Sequence, residues 1–352
     1  MTVLVTSTHE STGKTAVALA LATIASERSE SVGYMKPKGT RLESAVGKTL
    51  DEDPLLAAEM LGLDAPIGTL EPVVYSPTFL QEAIRGREDP ESLRERILET
   101  YDTLASEHDR LVLEGGGSLT TGGVVDLTDV DIAEILDITV LLVVPFEEPG
   151  DVDEVLAAAD MLGDRLGGIL FNDVPDAAFD DLVTDVVPFL EGRGIRVFGS
   201  IPRDPELAGV TVAELAKELG AEVLTGDAPT DAFVQRFVVG SMAAGEALTQ
   251  FRRTSDAAMI TGGDRPEIHI AALDAPGIVC LLLTGGLTPP DTVVGRAEEA
   301  GVPILLVRTD TMTTIDRAED VIRSGRTRDA ATVERMRTLL EEYADVDVLL
   351  DL

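Results

Sequence analysis

The sequence predicts an α/β protein of two domains, first a parallel sheet with a phosphate-binding loop and helices on both faces, then a second, smaller α/β unit. Three observations carry this expectation. The chain's 352 residues exceed what one core usually serves, and a hydrophobic content of 44% is enough for two. Short β-branched runs alternate with stretches whose apolar residues recur every three to four positions, the signature of a parallel sheet covered on both faces. The first run opens into Thr6-Ser7-Thr8-His9-Glu10-Ser11-Thr12-Gly13-Lys14-Thr15, which ends as a phosphate loop does.

Taken in order, strands are predicted over residues 2–6, 31–36, 110–114, 138–145, 168–172 and 196–201, with helices over 15–28, 54–61, 90–108, 152–162 and 179–193. Right-handed crossovers bring the C-terminal ends of such strands to one edge, where ligands bind. Residues 211–220 read as a helix stopped by glycine, with Thr211 and Glu214 as a capping box. Gly226-Asp227-Ala228-Pro229-Thr230 then marks a boundary, giving domains 1–226 and 227–352. The second domain is expected to hold a helix over 231–250 and strands over 257–260, 267–271 and 278–283. A helix over 291–300, a strand over 303–307 and helices near 313–324 and 329–343 follow. Ile260-Thr261-Gly262-Gly263 and Leu283-Thr284-Gly285-Gly286 predict two similar strand-to-turn corners.

Composition narrows the function. No run of about 18 apolar residues is present, and no basic segment precedes an apolar one near Met1, which predicts a cytoplasmic protein. The single cysteine, Cys280, excludes a disulfide framework and a cysteine-cluster metal site. A net charge of −36 argues against nucleic acid and anionic membranes as partners, and points to a halophilic, salt-rich interior that screens the repulsion. Four of the five lysines, Lys14, Lys36, Lys38 and Lys48, fall in the first 48 residues, close to the phosphate loop.

In that loop, Ser11, Thr12 and Gly13 supply a turn of backbone N–H groups for phosphate, with Gly13 permitting close approach. Lys14 reaches the outer phosphates and the Thr15 hydroxyl ligates Mg²⁺. The usual pattern wants glycine where Thr8 stands. A second Gly-Lys-Thr, at 47–49, follows a polar stretch rather than a buried strand and reads as loop. Glu114 ends the apolar run Leu111-Val112-Leu113 and precedes three glycines, so it sits where a Mg²⁺ ligand belongs.

These motifs resemble dethiobiotin synthetases and the related N-terminal domains of long phosphotransacetylases. Loops of that family run Thr-x-x-x-x-Gly-Lys-Thr with the early glycine one place upstream, at Ser7 here. Gly33-Tyr34-Met35-Lys36-Pro37 resembles the family's Phe-x-Lys-Pro segment, which implies that Lys36 lies near the reacting carboxylate or carbamate and the γ-phosphate; the alternative is a solvated edge-loop lysine. Glu114-Gly115-Gly116-Gly117 resembles the Glu-Gly-Ala-Gly segment and gives Glu114 the metal role. The resemblance makes Asp53 a second magnesium-side acid, although capping of the following helix explains it nearly as well. It matches Asn172 to the adenine-contacting asparagine and Pro202 to its companion turn, although a strand-end asparagine also caps turns. Thr261-Gly262-Gly263-Asp264-Arg265 resembles the DRTGG domain. Free N–H groups at the two glycine corners, with Arg265, could hold a small anion, unless the glycines only make tight turns and Asp264 pairs with Arg265.

The resemblance spans nearly the whole chain, with no phosphotransacetylase catalytic domain expected after it. No cysteine–histidine pair suggests a glutaminase. Two functions remain open: an ATP- and Mg²⁺-binding regulator or sensor, acting on an acyl-metabolism enzyme and answering to a small effector at the second domain; or an ATP-dependent ligase of the dethiobiotin synthetase type. In the ligase, Lys14 and Lys36 are the catalytic cations. A homodimer is implied by the resemblance.

Overall fold

Six of the apolar runs become strands of one sheet: β1 (Thr2–Ser7), β2 (Val32–Met35), β3 (Arg110–Glu114), β4 (Thr139–Val144), β5 (Leu166–Val174) and β6 (Val197–Pro202). The computed structural model describes residues 2–40, 42–45, 48–226, 228–240, 244–325 and 329–352. The strand order is β6-β5-β4-β1-β3-β2, and each neighbouring pair is parallel. The chain leaves β1 towards one edge, forms β2 and β3, then crosses to the other side for β4 to β6. That reversal opens a crevice beyond the ends of β1, β3 and β4, the place where open α/β sheets bind ligands. Leu4, Val5, Leu113, Leu141 and Leu142 are fully enclosed, as strands covered on both faces require.

Helix α1 (Lys14–Glu27) begins at the loop, and Lys14 through Ala22 are all buried. Its alanine-rich sequence lets the helix Ala330–Tyr343 lie closely along it. Compactness divides the chain into Met1–Arg203 with Thr327–Leu352, and Asp204–Arg326. This division comes after Arg203, ahead of the boundary expected at 226, and groups Thr327–Leu352 with the first unit. Helix Val212–Leu219, with the expected Thr211 and Glu214 capping box, belongs to the second unit.

The second unit's larger sheet places Glu222–Val223, Ile304–Leu306, Ile278–Thr284, Ala257–Gly262 and Arg236–Val239 side by side. Two expectations fail there. Residues 231–250 are not one helix: Phe233–Val234 and Arg236–Val239 are strands, 241–243 lie outside the described residues, and the helix is Ala244–Phe251. Arg236–Val239 pairs with Ala257–Ile260, a ladder that helix periodicity could not foresee. Residues 267–271 form part of the helix Pro266–Leu273 rather than a strand, because Pro266 starts a helix readily and short apolar runs are ambiguous.

In the first unit, the helix expected over 179–193 is broken into Asp176–Asp181, a π-helical stretch Leu182–Val186 and Val187–Glu191. Pro188 lacks an N–H, and a wider turn ahead of it absorbs the lost bond. The expected loop at 46–49 is half a strand: Lys48–Asp51 pairs with Leu42–Ala45, while 46 and 47 lie outside the described residues. Among the described residues no helix is long and apolar enough to cross a membrane.

Candidate functional site

The phosphate loop stands at the end of β1, beside the sheet's point of reversal. Gly13 adopts φ 84° and begins α1. Ser11, at φ 58°, takes a left-handed conformation that non-glycine residues rarely adopt. Ser7, in the upstream glycine position, is fully buried, and its hydroxyl accepts a bond from Lys14 Nζ at 2.8 Å. Lys14 Nζ also donates to the His9 carbonyl at 3.4 Å. Burial pulls the Lys14 ammonium below its ordinary pKa, against the attraction of Glu114 and Asp129. Among the described residues no carboxylate lies within ion-pair distance of it. Thr12 Oγ1 is buried in the same turn without a hydrogen-bond partner.

Thr15 turns from the first residues of α1 towards the end of β3, where its hydroxyl donates to Glu114 Oε1 at 2.7 Å. The Tyr34 hydroxyl donates to Glu114 Oε2 at 2.6 Å. Burial pushes the Glu114 carboxyl up to about 7, Lys36 opposing and Asp53 assisting. Tyr34 is held well above the usual phenol range, by burial first and Glu114 second.

Lys36, two residues beyond Tyr34 and on the same face of the extended chain, enters a group of acids. Its ammonium pairs with Asp53, with Asp51 Oδ2 at 2.9 Å and with Glu114 Oε1 at 3.5 Å. Burial alone would lower its pKa; Glu114, Asp53 and Asp51 overcome that and raise it. The solvated-lysine alternative is thereby excluded, since Lys36 is buried. Asp51, not Asp53, caps the helix Glu52–Leu61, by accepting from Asp53 N at 3.0 Å. Asp53 is left to face Lys36. Glu71 adds a further buried acid, accepting from Asp51 N at 3.3 Å through Oε2.

Beneath the loop, Lys38 and Asp129 form an enclosed ion pair, and the Thr6 hydroxyl donates to the same Asp129 carboxylate. The glycines after Glu114 make room for it. A Cβ on Gly115 would stand 2.0 Å from Asp129 Oδ2, and one on Gly116 2.3 Å from the Lys38 carbonyl. Sequence reasoning missed Tyr34, Asp51, Lys38 and Asp129. The strand period of two from Lys36 could have found Tyr34 and Lys38, but nothing local marks Asp129.

Asn172, on β5, donates from Nδ2 to the Thr12 carbonyl at 2.8 Å, so it supports the loop. A Cβ on Gly13 would come within 2.6 Å of that nitrogen. The site thus assembles Ser11, Thr12, Gly13, Lys14, Thr15, Lys36, Asp53, Glu114 and Asn172. The donor set suits a nucleotide: a buried cation without a carboxylate contact, an unpartnered hydroxyl in a glycine turn, and hard oxygens on Thr15 and Glu114 of the kind Mg²⁺ takes. No group of three or more His, Cys, Asp or Glu side chains among the described residues could hold a metal alone.

In the second unit, Ala257–Gly262 and Ile278–Thr284 run parallel with Gly262 opposite Thr284, so the two corners share one edge. The Gly285 and Gly286 N–H groups are already bonded to the carbonyls of Thr309 and Val307, at 2.8 and 2.9 Å. That corner therefore does not offer the free donors expected of it. Thr261 Oγ1 and Arg265 both donate to the Gly240 carbonyl, at 3.0 and 2.6 Å. Arg265 also approaches Glu267 at 3.7 Å. Gly263 is constrained sterically, since a Cβ there would meet the Leu287 carbonyl at 1.6 Å. Asp264 follows it in the turn that leads to Pro266–Leu273.

Residues 1–224 match the sequence family described as AAA domain, and residues 214–321 the family described as DRTGG domain. The phosphate acetyltransferase of Pseudomonas putida is 24% identical, over 95% of this chain and 49% of that protein. The ATP-dependent dethiobiotin synthetase of Methanococcus vannielii is 27% identical, over 56% of this chain and 89% of that protein. A solved structure, the CBS and DRTGG domains of the regulatory region of Clostridium perfringens pyrophosphatase complexed with the activator diadenosine tetraphosphate, is 16% identical. Its TM-score is 0.29, over 44% of this chain and 80% of that one. The chain spans about half the length of the phosphate acetyltransferases it matches.

Proposed function

The chain belongs to the family described as AAA domain, and on that premise we propose that it is a nucleotide-dependent regulator holding ATP and Mg²⁺ at the loop Ser11–Thr15. The observation that carries this reading is the state of Lys14: a buried ammonium that, among the described residues, donates to Ser7 and to the His9 carbonyl, at the N-terminus of a buried helix. Such a group gains most from an anionic oxygen. Thr15 and Glu114 would hold the metal, which when bound neutralises phosphate charge beside a buried carboxylate. Asn172 fixes the loop and stands ready for the base.

Similarity running along half of the phosphate acetyltransferases, together with the DRTGG domain, supports regulation in acyl or central metabolism. So does the condition of Lys36, which is neutralised by three carboxylates instead of standing open to a substrate. The partner is an acyl-metabolism enzyme, the chain acts as a homodimer, and a small anionic effector binds around Thr261, Gly262, Gly263, Asp264 and Arg265.

The second reading is a ligase that phosphorylates a carboxylate or carbamate. One observation favours it: Lys36 lies 3.5 Å from Glu114, within the same cluster that contacts Thr15. Here Lys14 and Lys36 would offset charge developing during phosphoryl transfer. Assay of purified protein in high salt, with Mg·ATP and with or without diaminopelargonic acid and bicarbonate, separates the two. The regulator binds nucleotide and forms no product; product formation overturns that reading, and absence of any nucleotide binding overturns both.

A further inference from the structure

Neither matched family extends over the last residues of the chain, the two matches ending at 224 and 321, yet Thr327–Leu352 belongs to the first compact unit. The helix Ala330–Tyr343 buries Val333, Met336, Leu339 and Leu340. Several contacts fix its place. Arg337 pairs with Glu27 at the end of α1 at 2.8 Å. Asp345 N donates to the Phe198 carbonyl at 2.9 Å, and Ala344 bridges to Gly199 of β6. A Cβ on Gly199 would meet the Tyr343 carbonyl at 2.4 Å, so the approach to β6 needs that glycine.

The helix comes near the phosphate loop at Met336. The Met336 methyl lies 3.9 Å from where a Cβ on Gly13 would stand, and Asn172 Nδ2 lies 2.6 Å from the same place. Gly13 is left-handed and carries no side chain of its own to lock it. An amide and a thioether methyl from distant parts of the chain therefore share the space over the residue that aims the loop's N–H groups. Holding a loop in its binding conformation raises affinity by removing an ordering cost.

We propose that Met336 is a positioning residue of the nucleotide site, acting on affinity through Gly13. The inference rests on the nucleotide reading above. Because Asp204–Arg326 is inserted between β6 and this helix, the loop is held by chain that lies beyond the second unit in sequence.

The test uses the full chain and calorimetric titration with Mg²⁺ and a non-hydrolysable ATP analogue. Met336→Ala should weaken binding about tenfold, and Met336→Leu should restore it to within about twofold, since it refills the volume. Leu340→Ala, on the same buried face one turn further along, should lower the thermal midpoint as Met336→Ala does and leave affinity unchanged. If Met336→Ala does not fold, Met336→Val carries the same comparison. Wild-type affinity in the Met336 truncation, or an equal loss in Leu340→Ala, overturns this inference alone. Failure of the wild-type chain to bind overturns the nucleotide reading and this inference with it.

Discussion

Two lysines buried within one unit are driven in opposite directions. Lys14 has no carboxylate in contact among the described residues and is pulled below its ordinary pKa by burial; Lys36, with three, is pushed above it. The second is already neutralised, and the first is the cation proposed above to take the phosphates. Lys14→Ala should accordingly weaken Mg·ATP binding by roughly 10–1000-fold, about 1.4–4 kcal/mol, as expected for a lost charge-assisted contact to phosphate. Unchanged affinity by calorimetry would reject the assignment. Glu71 gives a pH prediction. Burial, and Asp51 after it, raise its pKa from 4.5 to about 7, and its Oε1 has no partner. An acid whose folded pKa exceeds its unfolded one holds its proton more tightly when native. It therefore destabilises increasingly as pH climbs from 4.5 to 7, with the full cost present above about 7. Glu71→Gln removes that cost, so its thermal midpoint should exceed the wild type's at pH 8 and approach it near pH 5. An equal gap at both pH values would contradict the assignment.

At the scale of elements, the strands of the first sheet were the easiest to read and phase was the hardest. Residues 110–114 and 152–162 appear with the boundaries the sequence implies, because neither pattern has a competing period. The run from Phe233 to Val239 forms strands because Phe233–Val234 pairs antiparallel with Val210–Thr211 and Arg236–Val239 finds a parallel partner in Ala257–Ile260, contacts that no local window contains. The phosphate loop shows another limit of local patterns. It lacks the early glycine, yet Ser7 uses its hydroxyl to bond Lys14, and Ser11 accepts the left-handed conformation. The capping box at Thr211 was legible because all its parts lie within four residues. Replacing Thr211 with Ala should cost about 1 kcal/mol, read as a lower urea midpoint for the second unit. A shift below about 0.2 kcal/mol would mean that water replaces the cap.

For the whole molecule, the charge of −36 is the dominant property. Raising KCl from about 0.1 to about 1 M shortens the Debye length from about 10 Å to about 3 Å, which should raise the thermal midpoint if acidic self-repulsion limits stability. A flat or falling midpoint would count against the halophilic, salt-rich interior proposed for this protein. The order of the two domains, the strand, turn and helix around Lys14 and Thr15, and the place of Glu114 at a strand tip were determined by the sequence itself. They rest on short-range chemistry: a strand, a turn and a helix start within fifteen residues, and an acid at a strand tip. Only the tertiary structure decided that Asp51 caps while Asp53 pairs with Lys36, that Asp129 takes Thr6 and Lys38 as partners, and that the helix Ala330–Tyr343 packs along α1 with Met336 near Gly13. Those partners are separated by up to several hundred residues. Packing brings them together, and no periodicity in the chain records which buried surfaces will meet.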